Sequence, residues 1–128
     1  MKQIISTDKA PKPAGPYSPV VAFGDLLFLS GQVPMDPSTG ELLKGDLESE
    51  ARRVLANVKA ILDDVGSGMD QVLKVTAYLG DMEDFAAFNV IYAEYFTVDP
   101  PARTCIQAGR LPFDIKVEID VIAARKEG

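Results

Sequence analysis

The stretch PPARTCIQAG, residues 100–109, carries Arg103 and, two positions later, Cys105, the only cysteine of the chain. An arginine presents a planar fork of donors that can grip a carboxylate through two parallel hydrogen bonds, or form a surface ion pair of little energetic consequence. A cysteine is a good nucleophile where a neighbour lowers its pKa, and this chain has no histidine to do so. The same absence removes Ser-His pairs and histidine metal sites, leaving Asp, Glu, Lys, Tyr or water as the available bases. Cys105 is therefore read first as a small packing residue.

Five further positions combine an unusual residue type with an informative place. Glu118 interrupts the apolar pattern VEIDVIA. On an open sheet face it is merely solvated; desolvated at an interface, its pKa rises and it becomes a base suited to neutral pH. Ser30 and Gly31 close an apolar run in LFLSGQVP, either as a plain turn or as a hydroxyl and a backbone donor lining a pocket. Tyr17 lies in the proline-bounded GPYSP, as packing or as a lid. Asn89 falls within an apolar helical stripe, where a polar side chain needs a hydrogen-bond partner.

The elements that must position these residues are legible as changes of period. Val20–Phe23 and residues 26–30 are apolar runs joined by Gly24-Asp25, a two-residue connection suited to a hairpin. Leu47, Ala51, Val54, Leu55, Val58, Ile61, Leu62 and Val65 repeat with helical spacing, with Asp46 placed to cap the start and Gly66 the end. QVLKVTAYLG reads as a strand. DMEDFAAFNVIYAEYF reads as a second helix, with Asp81 as its N-cap and Phe85, Phe88, Tyr92, Tyr95 and Phe96 as its apolar positions. After the break at DPPA, residues 103–111 and 115–124 alternate with period two. The order β-β-α-β-α-β-β describes an α+β domain, a mixed sheet with two helices on one face. The other face is expected to present Arg103, Cys105 and Glu118, with Lys74, Thr76 and Tyr78, to solvent or to another subunit.

The totals bound the function classes. A chain of 128 residues is expected to form a single domain, residues 1–128. The formal charge of −6 disfavours nucleic acid as the main ligand, since phosphate binding relies on a positive footprint. One cysteine cannot form an internal disulfide, and the opening MKQIISTDKAPKPAG has no apolar run long enough for a signal peptide or membrane span. A cytoplasmic protein without membrane contact is expected.

Taken in order, GPYSP, LFLSGQVPMDPSTGEL, LANVKAILDDVGSGMDQVLKVTAYLGDMEDFAAFNVIYAEYF, PPARTCIQAGRLP and VEIDVIA resemble the RidA (YjgF/L-PSP) family of enamine/imine deaminases. The resemblance spans residues 4 to 124, and its most specific part is Pro-Ala-Arg-x-Cys followed by Leu-Pro and Val-Glu-Ile. It implies a homotrimer with a chorismate-mutase-like fold and active sites in clefts between subunits. The implied reaction is hydrolysis of 2-enamino and 2-imino acids, such as 2-aminoacrylate, 2-iminopropanoate and 2-iminobutanoate, to 2-oxo acids and ammonia, with no cofactor. Such intermediates leak from pyridoxal-phosphate enzymes, including serine and threonine dehydratases.

By the same resemblance Arg103 binds the substrate carboxylate and Glu118 positions and activates the attacking water. Cys105 contributes backbone contacts near the reacting nitrogen, Ser30 and Gly31 line the pocket, Tyr17 closes it, and Asn89 belongs to it. Two departures are visible. The long helix opens with ESEARRV, remote from the implied chemistry, and Lys116 shares a strand face with Glu118, where contact would lower the glutamate's pKa. An alternative expectation keeps the trimer and cleft as a non-catalytic regulator that binds a small carboxylate. A ribonuclease role is disfavoured by the negative charge and the lack of histidine.

Overall fold

Six strands form one sheet: β1 (Lys2–Ile5), β2 (Val20–Phe23), β3 (Leu26–Gln32), β4 (Val72–Leu79), β5 (Ala102–Gln107) and β6 (Val117–Ala124). Their spatial order in the computed structural model, which describes residues 1–126, is β1-β2-β3-β6-β4-β5. β4 and β5 run parallel, and the other neighbours are antiparallel, so the sheet is mixed as expected. A parallel pair needs a crossover. Here α2 (Phe85–Tyr95) supplies it, while α1 (Leu47–Asp64) links β3 to β4.

Alternation in the strands sets the core. Val75, Ala77 and Leu79 of β4 and Val117, Ile119, Val121 and Ala123 of β6 are buried. They meet Val54, Leu55, Val58, Ile61 and Leu62 of α1 and Phe88, Ile91 and Tyr92 of α2 in one cluster. Asp46 begins α1 as expected: its Oδ1 accepts the N–H of Ser49 at 2.8 Å. The helix ends where Gly66 takes a φ of +85°, a conformation that favours glycine, and the N–H of Ser67 donates back to Leu62 O at 2.8 Å.

Several expectations need correction. The opening KQII is a strand, β1, held by antiparallel pairing with β2; four residues are too short to show a period by themselves. Asp81 caps the short turn Met82–Asp84 by accepting the N–H of Glu83 at 2.9 Å, and α2 starts only at Phe85. β5 stops at Gln107 because the chain then turns away through Gly109 and Pro112. The largest correction concerns β5's orientation. Arg103 lies beside Val75, Cys105 beside Ala77 and Gln107 beside Leu79, so these three share the helix-covered face. Glu118 lies beside Tyr78 and belongs to the opposite, open face. Arg103 and Cys105 are therefore not on the open face with Glu118.

The irregular segment between β5 and β6 is fixed from below by a buried carboxylate. Glu50, in the first turn of α1, is fully buried. Its Oε1 accepts the N–H of Lys116 at 2.7 Å and its Oε2 that of Gly45 at 3.2 Å, with Lys116 Nζ 3.7 Å away. Lys116 O in turn accepts the N–H of Gly80 at 2.9 Å. A buried carboxylate is tolerated when its lone pairs are filled this way, and removing it leaves its donors unpaired. No helix among the described residues is long and apolar enough to cross a membrane. Glu50→Ala is expected to cost roughly 3 kcal/mol of stability, read as a lower urea midpoint with an unchanged slope.

Candidate functional site

The first cluster lies on the helix side of the edge strand β5. Arg103 Nη1 donates to Asn89 Oδ1 at 2.8 Å, which gives the polar residue in α2's apolar stripe its partner. The guanidinium carbon stands 4.7 Å from the centre of the Tyr92 ring and 5.6 Å from that of Phe85. Phe85, Asn89 and Tyr92 are spaced by four and three residues, so one helix face carries the whole cradle. With one nitrogen on Asn89 and its π-surface on two rings, the guanidinium keeps donors for a further acceptor.

Cys105 follows two residues along the same face and packs against the core. Burial pushes its thiol pKa up, opposed in part by Arg103, so the sulfur stays protonated and is no ready nucleophile. Burial likewise pushes Tyr92 up to about 12, and its hydroxyl has no partner among the described residues.

The second cluster is on the open face. A cavity of about 500 Å³ is bordered by Tyr17, Ser30, Gly31 and Glu118, with Val33, Met35, Pro112 and Phe113 on its apolar walls and Lys12 as its cation. Ser30 Oγ donates to Ser18 O at 2.7 Å, and its N–H donates to Pro19 O at 2.9 Å. These two bonds tie the end of β3 to the proline-rich loop and so fix Tyr17 beside the cavity. The Glu118 side chain lies directly over Gly31: a β-carbon at position 31 would run into its carboxylate.

Glu118's pKa is raised, first by burial and then by the neighbouring charge of Asp120. Asp120 is itself held by the Tyr78 hydroxyl, which donates to its Oδ2 at 3.0 Å. Lys116 takes no part in this: its Nζ donates to Gly45 O at 2.6 Å and faces Glu50. The condition for a Lys116 effect on Glu118, that their side chains meet, is not fulfilled: residue 116 precedes the strand and its side chain turns toward Gly45 and Glu50. ESEARRV supplies Glu50, whose Oε1 accepts the N–H of Lys116 just ahead of β6.

Sequence reasoning thus found members of both clusters but placed Arg103 and Cys105 on the wrong face. It missed Phe85 and Tyr92 as the cradle of Arg103, although their spacing about Asn89 was the available signal. Asp120 was legible as the i+2 neighbour of Glu118 on one strand face, whereas Glu50 carried no such signal, since its contacts to Gly45 and Lys116 are set by the tertiary fold.

A six-stranded mixed sheet with two helices on one face and a carboxylate-lined cavity on the other defines a class of small α+β proteins. Comparison with known proteins narrows it. The family model described as Endoribonuclease L-PSP matches residues 7–125, and the chain belongs to this family, known also as RidA/YjgF. A RutC family protein of Pyrococcus horikoshii is 50% identical over 126 residues, covering 98% of this chain and 100% of its own. TdcF of Escherichia coli, provisionally named a reactive intermediate deaminase, is 42% identical over 128 residues, covering 98% of each. Among solved structures, TdcF with bound serine matches with a TM-score of 0.89 at 41% identity, covering 97% of this chain and 99% of that one. A Thermotoga maritima protein, provisionally titled an endoribonuclease, reaches 0.92 at 45% identity over the whole of both chains.

Because Glu118's folded pKa lies above its unfolded value, ionising it opposes folding. That penalty is absent below the unfolded pKa and fully present above the folded one. Glu118→Gln is expected to raise Tm at about pH 7 but not at about pH 4, where the carboxyl is largely protonated in both states. Asp120→Asn should lower the midpoint of the Glu118 carboxyl titration followed by carbon NMR.

Proposed function

We propose that the protein is an enamine/imine deaminase, hydrolysing 2-imino acids and their 2-enamino tautomers to 2-oxo acids and ammonia at a site shared between copies of the chain. One observation carries this reading. Arg103 and Glu118, the groups suited to hold a carboxylate and to activate water, stand on opposite faces of one sheet. β6 and β5 are also two strand spacings apart, about 10 Å. In a 2-imino acid the carboxylate is bonded directly to the reacting carbon, so one chain cannot serve both ends of the same molecule. A second copy that sets its edge strand β5 against the cavity can.

The open face suits such an assembly. Ile4, Phe23, Leu26 and Phe28 lie on it with 37% to 59% of their surface exposed, an apolar area that association would cover. The cyclic homotrimer implied by the family resemblance repeats one heterologous contact three times and closes. TdcF, which shares the fold, has been crystallised with serine, a ligand bearing the same α-carboxylate.

In the proposed mechanism, Arg103 fixes the substrate carboxylate, and Asn89, Phe85 and Tyr92 keep the guanidinium from turning away. The protonated imine carbon is already electrophilic, so the protein must place one water and exclude others. The Glu118 carboxylate takes a proton from the water as its oxygen bonds to that carbon, giving a carbinolamine. It returns this proton to nitrogen and, as the C–N bond breaks, takes the hydroxyl proton, so that the 2-oxo acid and ammonia form and the ammonia leaves with that last proton as ammonium. Glu118's pKa, raised by burial and by Asp120, makes the carboxylate a stronger base toward the water than an exposed glutamate. Tyr17 closes the site, with Ser30 and Gly31 as lining and the backbone at Cys105 near the nitrogen. The substrates arise as leaked intermediates of pyridoxal-phosphate dehydratases.

Arg103→Ala should lower kcat/KM for freshly generated 2-aminoacrylate roughly 10²- to 10³-fold, with the fold retained. Co-refolding Arg103→Ala with Glu118→Gln should restore about a quarter of the sites, those that draw an intact residue from each variant. No recovery on mixing would defeat the shared site. Tight binding of 2-oxobutanoate without turnover by the intact protein would instead make it a carboxylate-binding regulator.

A further inference from the structure

We propose that Phe113 is a specificity-determining residue: it forms the wall against which the substrate's side chain packs, and it selects 2-imino acids with large apolar side chains. This rests on the deaminase reading above and goes beyond it. Between β5 and β6 the chain reverses through Leu111–Ile115, and Phe113 sits there at φ 60°, ψ 14°, with Asp114 at φ 55°. Two consecutive residues other than glycine in the left-handed region are unfavourable, and an aromatic residue there is a genuine outlier.

The conformation is held from several sides. Asp114 N–H donates to Leu111 O at 3.1 Å and Ile115 N–H to Pro112 O at 3.3 Å. Arg110 grips the Asp114 carboxylate in a fork, Nε to Oδ1 at 2.7 Å and Nη2 to Oδ2 at 3.2 Å.

Folding gains little from this arrangement. Phe113 is 54% exposed and lies outside the core cluster, so both the backbone strain and the apolar exposure go without an internal return. What the turn does achieve is to set the ring on the cavity that holds Glu118, alongside Pro112, Val33 and Met35. Cavities of about 500 Å³ hold ligands much larger than a three-carbon acid. The part of the cavity wall that Phe113 forms with Pro112, Val33 and Met35 is apolar and suits a branched or aromatic side chain. Lys12 is the one feature that favours an acidic side chain instead, so an acidic substrate belongs in the test.

The test compares the intact protein with Phe113→Gly, which removes the ring and tolerates the positive φ, and with Phe113→Leu, which keeps an apolar wall. Imines of alanine, leucine, phenylalanine and glutamate are generated in situ by amino-acid oxidation, and kcat/KM is measured for each. Binding of pyruvate and 4-methyl-2-oxopentanoate is followed by calorimetry. The intact protein should prefer the leucine and phenylalanine imines. Phe113→Gly should cut that preference about tenfold, the loss falling chiefly on the leucine and phenylalanine imines, and Phe113→Leu should retain most of it.

Equal losses on all substrates, a preference for the glutamate imine, or dissociation of the assembly in Phe113→Gly would overturn the inference and leave the deaminase reading standing. Tight, Phe113-dependent binding of 4-methyl-2-oxopentanoate without turnover of any imine would overturn the deaminase reading and keep Phe113 as the selector. Neither turnover nor selective binding would remove both.

Discussion

Side chains on a strand point alternately to the two faces of its sheet, and almost everything in this protein follows from which phase of that alternation each strand adopts. β4 and β6 place valine, isoleucine, leucine and alanine toward the helices, which builds the core. That choice forces Thr76, Tyr78, Glu118 and Asp120 to the other side. β5, in register with β4, puts Arg103 and Cys105 under α2. A slip of one residue in β5 would carry the arginine to the open face and separate it from Asn89 and the two aromatic rings. Placement of charge and placement of hydrocarbon are thus one decision.

The helices were legible in the sequence because each carries its own period and its own signals. Asp46, the apolar series from Leu47 to Val65, and Gly66 specify α1 from local residues alone. The hairpin of β2 and β3 was equally local. β1 was not, since four residues gain strand character only by pairing with β2. The family resemblance pointed to Arg103, Glu118 and Asn89, but the face each one occupies depends on register between strands distant in sequence. Period two says that Arg103 and Cys105 share a face and says nothing of which face it is. Parallel pairing with β4, invisible in either segment alone, decides that.

The two charged clusters solve the burial problem differently. Glu50 is fully enclosed, and two backbone donors and an ammonium fill its oxygens, so it acts as a fastener between α1 and the entry to β6. Glu118 is only partly enclosed, and burial and the like charge of Asp120 both raise its pKa. One carboxylate has its bonds filled by the fold and the other has bonds to give. That contrast separates a structural acid from a candidate catalytic one more clearly than exposure does.

The parallel pair at the sheet's edge has a further consequence. β5 hydrogen-bonds to β4 on one side, while its other side ends the sheet. In a lone chain the unpaired N–H and C=O groups there form a template that any extended segment can extend. A neighbouring copy seated on that strand would occupy the template, so the same contact would govern both solubility and the completeness of the pocket. Dilution below the dissociation constant of such a contact would bare the edge strand and open the pocket at one and the same concentration.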